Sequence, residues 1–392
     1  MIGVRNSGAA LLAVVVSLSA GGPAAASVSQ SPTQVPTAEL NVLSEILESA
    51  IRDRNQQMVV GSGRDGTEQV STQLFSAKSK DKIAAENREL KARKERLAGY
   101  GQGYSKIETN FESERFEVTG DKARAEVTER TELTYTTGGP PESYKYEQII
   151  EFSKSGSGWT IDNISPKSRE GIPPSTVVSS EQLSHATGAH GSSAALRLNS
   201  GRVATPAKAE VAENHATQKT APGQKETGQE VSRAVSYNYT AMVNYARSWA
   251  LGRNGAYRQF GNDCQNFVSQ SLNAGGWQHV GGWYQYDSSW WYSWANQTWS
   301  WTGAQHFHNF AVSQGRVSYL NYLNDLGPAD VLQVHWPEGT PDVDHSMIVT
   351  YSPWSAGTRD IRVSYHTTDT LDRSIWNLYS SFPYATWYAL RT

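Results

Sequence analysis

Asn262-Asp263-Cys264-Gln265-Asn266-Phe267-Val268-Ser269-Gln270-Ser271-Leu272-Asn273-Ala274-Gly275-Gly276 decides how the second half of this 392-residue chain folds. Phe267, Val268 and Leu272 recur at helical spacing, Asn262 or Asp263 can cap the helix they imply, and the glycine pair ends it. Cys264 then lies in the first turn. Oriented amides at a helix N-terminus favour a thiolate, which predicts a thiol pKa below the usual ~8.5. The same free amides can receive an oxyanion.

A nucleophilic sulfur needs a base, and the base needs an orienting group. Downstream, 330–336 reads as a strand, Asp344-His345-Ser346-Met347-Ile348-Val349-Thr350-Tyr351 as a buried one, and 359–365 as a third, ending at His366. If the last two form a hairpin pairing 351 with 360, His345 lies opposite His366 and the imidazoles can hydrogen-bond. Asp369 and Asp372 are the alternatives for the orienting role. His306 and His308, with His335 as a third imidazole, give a weak metal pattern, and no cofactor is expected.

Outward from this centre, composition divides the chain. Residues 237–392 hold twelve of the thirteen tryptophans, no lysine and the only cysteine. Between Gly281 and Trp301, Trp283, Tyr284, Tyr286, Trp290, Trp291, Trp294, Trp299 and Trp301 follow neither strand nor helix spacing. Part of the set is expected outside the core, as a rim of flat faces suited to sugars. Residues 166–236, rich in Pro, Ser, Thr, Ala and Gln, read as a disordered linker. Residues 37–165 read as helices over 37–57 and 80–97, then strands at 116–118, 123–135, 144–152 and 159–164. Helices before antiparallel strands resemble the small cone-shaped α+β domains of the nuclear-transport-factor type. At the start, Arg5, an apolar run from Leu11 to Leu18 and Ala24-Ala25-Ala26 read as a secretory signal over residues 1–26, too short for a membrane span.

One cysteine excludes an internal disulfide and clusters that need several thiolates. A formal net charge of -3 excludes nucleic-acid binding by bulk charge.

The run 237–249, the Asp-Cys-x-Asn-Phe-x-Ser-Gln core at 263–270, the segment ending at Phe310, ADVLQVHW, DHSMIVT and SYHTTDTLDRS together resemble the secreted amidase domains of bacteria. Those belong to the papain-like superfamily with the CHAP amidases and peptidoglycan endopeptidases. The resemblance covers 237–392. It implies an α+β papain-like fold with Cys264 as nucleophile, His345 as general base, His366 as third polar residue, and peptidoglycan or a peptide as substrate. Papain-like enzymes can also place a glutamine before the cysteine, and Gln259 lies near such a place without a matching spacing.

Overall fold

The computed structural model describes residues 36–61, 72–156, 158–168, 170–187, 237–336, 342–355 and 358–392. The expected signal (1–26) and residues 188–236 of the expected linker lie outside them. Two long helices open the described chain, α1 (Thr37–Gln56) and α2 (Lys80–Gly99). In α1, Leu43, Leu47, Ala50 and Ile51 lie at i, i+4, i+7 and i+8 and are all buried. Four antiparallel strands follow: β1 (Tyr104–Thr119), β2 (Lys122–Tyr135), β3 (Glu142–Ser155) and β4 (Gly158–Pro166). β1 starts well before the short strand expected at 116–118. Its first half is mostly polar, with Tyr104 and Ile107 buried, and it is held by β2 across a long shared register.

The second half adds helices α3 (Ser180–Thr187), α4 (Tyr239–Trp249), α5 (Cys264–Ala274), α6 (Trp299–Thr302) and α7 (Ala304–Ser313). It then adds strands β5 (Ser318–Tyr319), β6 (Val331–His335), β7 (His345–Tyr351), a small tip of β8 (Trp354–Ser355) and β9 (Thr358–Arg359), β10 (Arg362–Tyr365) and β11 (Thr370–Ser374). Helix α8 (Ile375–Ser381) and strand β12 (Thr386–Arg391) complete it.

Both halves share one antiparallel sheet, in the order β1-β2-β3-β11-β10-β7-β6-β12-β5. The junction is β3. Its later residues pair with β4, while Tyr144 and Ser143 at its start pair with Thr370 and Leu371 of β11. Tyr104, Leu133 and Tyr144 of the first half therefore pack in one core with Val349, Tyr365 and Trp376 of the second. A core shared in this way resists separation, because parting the halves would expose apolar side chains from both.

Residues 170–187, expected as part of the linker, are packed. The buried Arg93 guanidinium donates to the Ser175 and Val177 carbonyls at 2.9 Å each and to Gln182 Oε1 at 3.1 Å. Arg373, from the far side, donates to the Pro173 carbonyl at 2.7 Å. Buried guanidinium groups need acceptors, and this polar segment supplies them as backbone carbonyls. Composition alone hides such pairing.

Helices α4 and α5 pack closely where α5 ends. A Cβ at Gly275 would run into the Met242 side chain and lie 2.9 Å from the Asn238 carbonyl oxygen. Gly275→Ala is expected to destabilise the protein by about 1–3 kcal/mol, read as a lower urea midpoint at unchanged slope. An unchanged midpoint would show that this helix pair yields freely.

Candidate active site

Cys264 is the first residue of α5 and is 2 % exposed. Its thiol donates to Asn262 Oδ1 at 3.4 Å, and the backbone amides of Ser346, Gln265 and Cys264 itself act on the sulfur to favour the thiolate. Burial outweighs these amides and pushes the thiol up to about 11. This reverses the sequence expectation of a lowered pKa. Position at a helix start could be read from sequence; complete desolvation could not.

Asp263 precedes the helix as its N-cap residue, yet its side chain makes no capping bond. Its carboxylate is instead the hub of a buried network. Oδ1 accepts from Asn266 Nδ2 at 2.8 Å and from the Phe260 amide at 3.3 Å. Oδ2 accepts from His366 Nδ1 at 2.8 Å and from Arg253 Nε at 3.2 Å. Asn266 is fully engaged, because Nδ2 also donates to the Arg258 carbonyl at 3.0 Å and Oδ1 accepts from Trp301 Nε1 at 2.9 Å. Asp263, Asn266 and Trp301 were not singled out as site residues; the place of the first two in the Asp-Cys-x-Asn core at the start of α5 was the available signal.

The hairpin of β7 and β10 forms, but in a different register from the one expected. Tyr351 pairs with Arg362, not residue 360, and a bulge then sets Val349 opposite Val363 and Ile348 opposite Ser364. A shift by one residue exchanges the faces of a strand. His366 stacks on Phe267 of α5 at 4.1 Å and uses both ring nitrogens, Nδ1 on Asp263 and Nε2 on the Trp249 carbonyl at 2.8 Å. It therefore does not hold His345 by a hydrogen bond, as had been expected. His345 lies on the side of β7 shared with Met347 and Val349 and meets Tyr365 edge-on at 5.3 Å. Its Nε2 is buried without a hydrogen-bond partner. Burial, helped by the nearby His366, pulls its pKa down to about 3. The two imidazoles are thus close enough to feel each other's charge. Neither is hydrogen-bonded to the sulfur.

The alternative orienting residues are engaged elsewhere. Asp369 pairs with Arg253 Nη2 at 2.9 Å. Asp372 is buried, accepts from Thr350 Oγ1 at 2.7 Å and pairs with Arg247 Nη1 at 2.5 Å. The three histidines of the metal pattern diverge: His306 meets Asp287, His308 sits between Gln333 and Tyr319, and His335 meets the Asp342 carbonyl. Among the described residues no group of three His, Cys, Asp or Glu side chains is placed to hold a metal ion. No helix of the described residues is long and apolar enough to cross a membrane. The tryptophan-rich segment splits as its irregular spacing suggests. Trp277, Trp290 and Trp301 are buried in the core around α5, whereas Trp283, Tyr286 and Trp294 are 56 %, 60 % and 67 % exposed.

Fold and site define a mixed α+β protein whose cysteine heads a buried helix on an antiparallel sheet, beside a strand that begins with histidine. Residues 236–390 match the model of the family described as "Putative amidase domain". Two Bacillus subtilis (strain 168) proteins are similar to parts of this chain. The uncharacterized protein YhbB is 32% identical over 120 residues, which is 30% of this chain and 38% of that protein. The uncharacterized protein YjcM is 30% identical over 145 residues, 35% of this chain and 32% of that protein. The chain thus spans about a third of the length of these relatives. No solved structure matches.

Proposed function

We propose that residues 237–392 hydrolyse an amide bond in cell-wall peptidoglycan, in a papain-like arrangement with Cys264 as nucleophile and His345 as general base. The observation that carries this reading is the buried Cys264 as first residue of α5, where the backbone amides of Gln265, Ser346 and Cys264 favour a thiolate and free helix-start amides can serve a developing oxyanion as well. His345 is preferred as base because it retains a free nitrogen, Nε2, whereas both nitrogens of His366 are engaged. It is the first residue of β7, next to Ser346, whose backbone amide favours the thiolate.

The resting pair is a thiol and a neutral imidazole, so proton transfer accompanies attack. Sγ bonds to the amide carbon as its proton passes to His345. The tetrahedral oxyanion collapses, the C–N bond breaks, and His345 returns the proton to the departing amine. Water then cleaves the thioester, restoring the thiol and releasing a carboxylic acid. The exposed Trp283, Tyr286 and Trp294 favour a glycan-bearing substrate, and the signal-like start favours action outside the cytoplasm. For residues 37–165, two helices followed by the antiparallel strands β1–β4 support the cone-shaped reading.

The test is digestion of purified cell wall by the full chain, with new amine and carboxyl ends identified by mass spectrometry. Because kcat/KM follows groups of the free enzyme, a base held near pKa 3 stays unprotonated on acidification. The rate is expected to hold its plateau from pH 7 to about pH 4, whereas an ordinary histidine would already lose it near 6.5. An acid limb at 6.5 would remove His345 from the role.

A second reading, a non-catalytic wall-binding protein, is favoured by the raised thiol and its bond to Asn262. Retention on wall without new chain ends would establish it.

A further inference from the structure

We infer that Thr367 is a positioning residue for Cys264 and that the first half of the chain holds it in place through Gly171, so that the two halves build the cysteine site jointly. Thr367 follows His366 and has φ of 81°, a conformation that β-branched residues rarely adopt. Its hydroxyl accepts from the Asp263 amide at 3.2 Å and donates to Asn262 Oδ1 at 3.1 Å. That same oxygen accepts the Cys264 thiol. Thr367 therefore fixes both residues before the nucleophile, one by its backbone and the other by its side chain.

A left-handed threonine persists where its surroundings enforce it. On one side stands Gly171, also left-handed at φ of 91°. A Cβ there would lie 2.9 Å from Thr367 Cγ2 and 3.1 Å from its carbonyl carbon. Further along, the Lys145 amide donates to the Asp369 carbonyl at 2.8 Å, and Arg253 ties Asp369 to Asp263. The segment 367–369 is thus clamped between residues 145 and 171 of the first half and the loop that presents the cysteine. Gly171 itself is held close by the neighbouring Pro173 carbonyl, which receives Arg373. Glycine is required at 171 because a side chain would push directly on Thr367.

The inference rests on Cys264 as the functional residue, but its test needs no substrate. In the full chain, hydrogen exchange of the peptide covering 260–267 and the pH dependence of Cys264 labelling by iodoacetamide are compared for wild type, Thr367→Val, Thr367→Ser and Gly171→Ala. Thr367→Val is expected to speed exchange at 260–267 at least about tenfold and to shift the labelling midpoint by at least half a pH unit. Thr367→Ser, which keeps the hydroxyl, is expected to restore both. Gly171→Ala, remote in sequence, is expected to reproduce the valine phenotype at residues 260–267 with exchange in α1 unchanged. Unchanged exchange in both Thr367→Val and Gly171→Ala overturns the inference, as does a serine variant that behaves like valine. If Gly171→Ala unfolds, the valine and serine pair alone decides. An enzyme inactive on cell wall but showing these shifts would defeat the proposed function and leave the positioning role standing.

Discussion

Cys264→Ser is expected to lose hydrolysis by about 10³-fold or more while keeping the wild-type fold. The sulfur is the sole group at this position able to form the thioester, and a hydroxyl there meets no strong base in the resting structure. His345 Nε2 is unbonded, and both His366 nitrogens are committed. Removal of a nucleophile typically abolishes almost all of the chemical acceleration. Stability should change little, by under about 1 kcal/mol, since the thiol's one side-chain hydrogen bond is long and weak. Cys264→Ala separates the effects further: it removes even the weak oxygen nucleophile and should be at least as inactive. The measurement is initial rate on purified cell wall beside thermal unfolding. A serine variant with more than a tenth of wild-type turnover would eliminate the thioester route and shift attention to water activated directly by histidine.

What the sequence disclosed and what it withheld divide along physical lines. Local signals were readable: the apolar spacing of α1 and α5, the glycine stop after Ala274, and the alternation of β2 and β3 all predicted elements that the structure contains. Non-local pairings were not. Register between β7 and β10 depends on a bulge between Arg362 and Val363 that no local pattern marks, and that bulge decides which histidine faces α5. The joining of β3 to β11 rests on Tyr144 and Ser143 meeting Thr370 and Leu371, residues more than two hundred apart in the chain. The order of residues 170–187 depends on Arg93 and Arg373, whose need for acceptors appears once they are buried. At the site, Cys264 could be placed at a helix start, but the direction of its pKa depended on burial by distant parts of the chain.

Asp263→Ala is expected to be the most destabilising change at the site, by about 3–5 kcal/mol. The carboxylate is buried and serves four donors, and its removal leaves the Arg253 and His366 groups facing an apolar gap. Asn266 would lose the acceptor that fixes its carboxamide, and through it the bracing by Trp301. Asp263→Asn tests the electrostatic part separately. An amide preserves one oxygen for Asn266 and Phe260, and its NH₂ can donate to His366 Nδ1 in the neutral tautomer that keeps Nε2–H on the Trp249 carbonyl, so that Arg253 Nε alone loses its acceptor. The loss of stability should therefore be smaller than for alanine. The charge change has its own sign: the Asp263 carboxylate disfavours a neighbouring thiolate and raises the Cys264 pKa. Neutralising it should move the midpoint of iodoacetamide labelling below the wild-type position near 11. Denaturant unfolding of both variants and the pH profile of labelling in Asp263→Asn supply the three readings. A midpoint that rises in the asparagine variant would mean that Asp263 governs the sulfur by holding the loop in place, with its charge secondary.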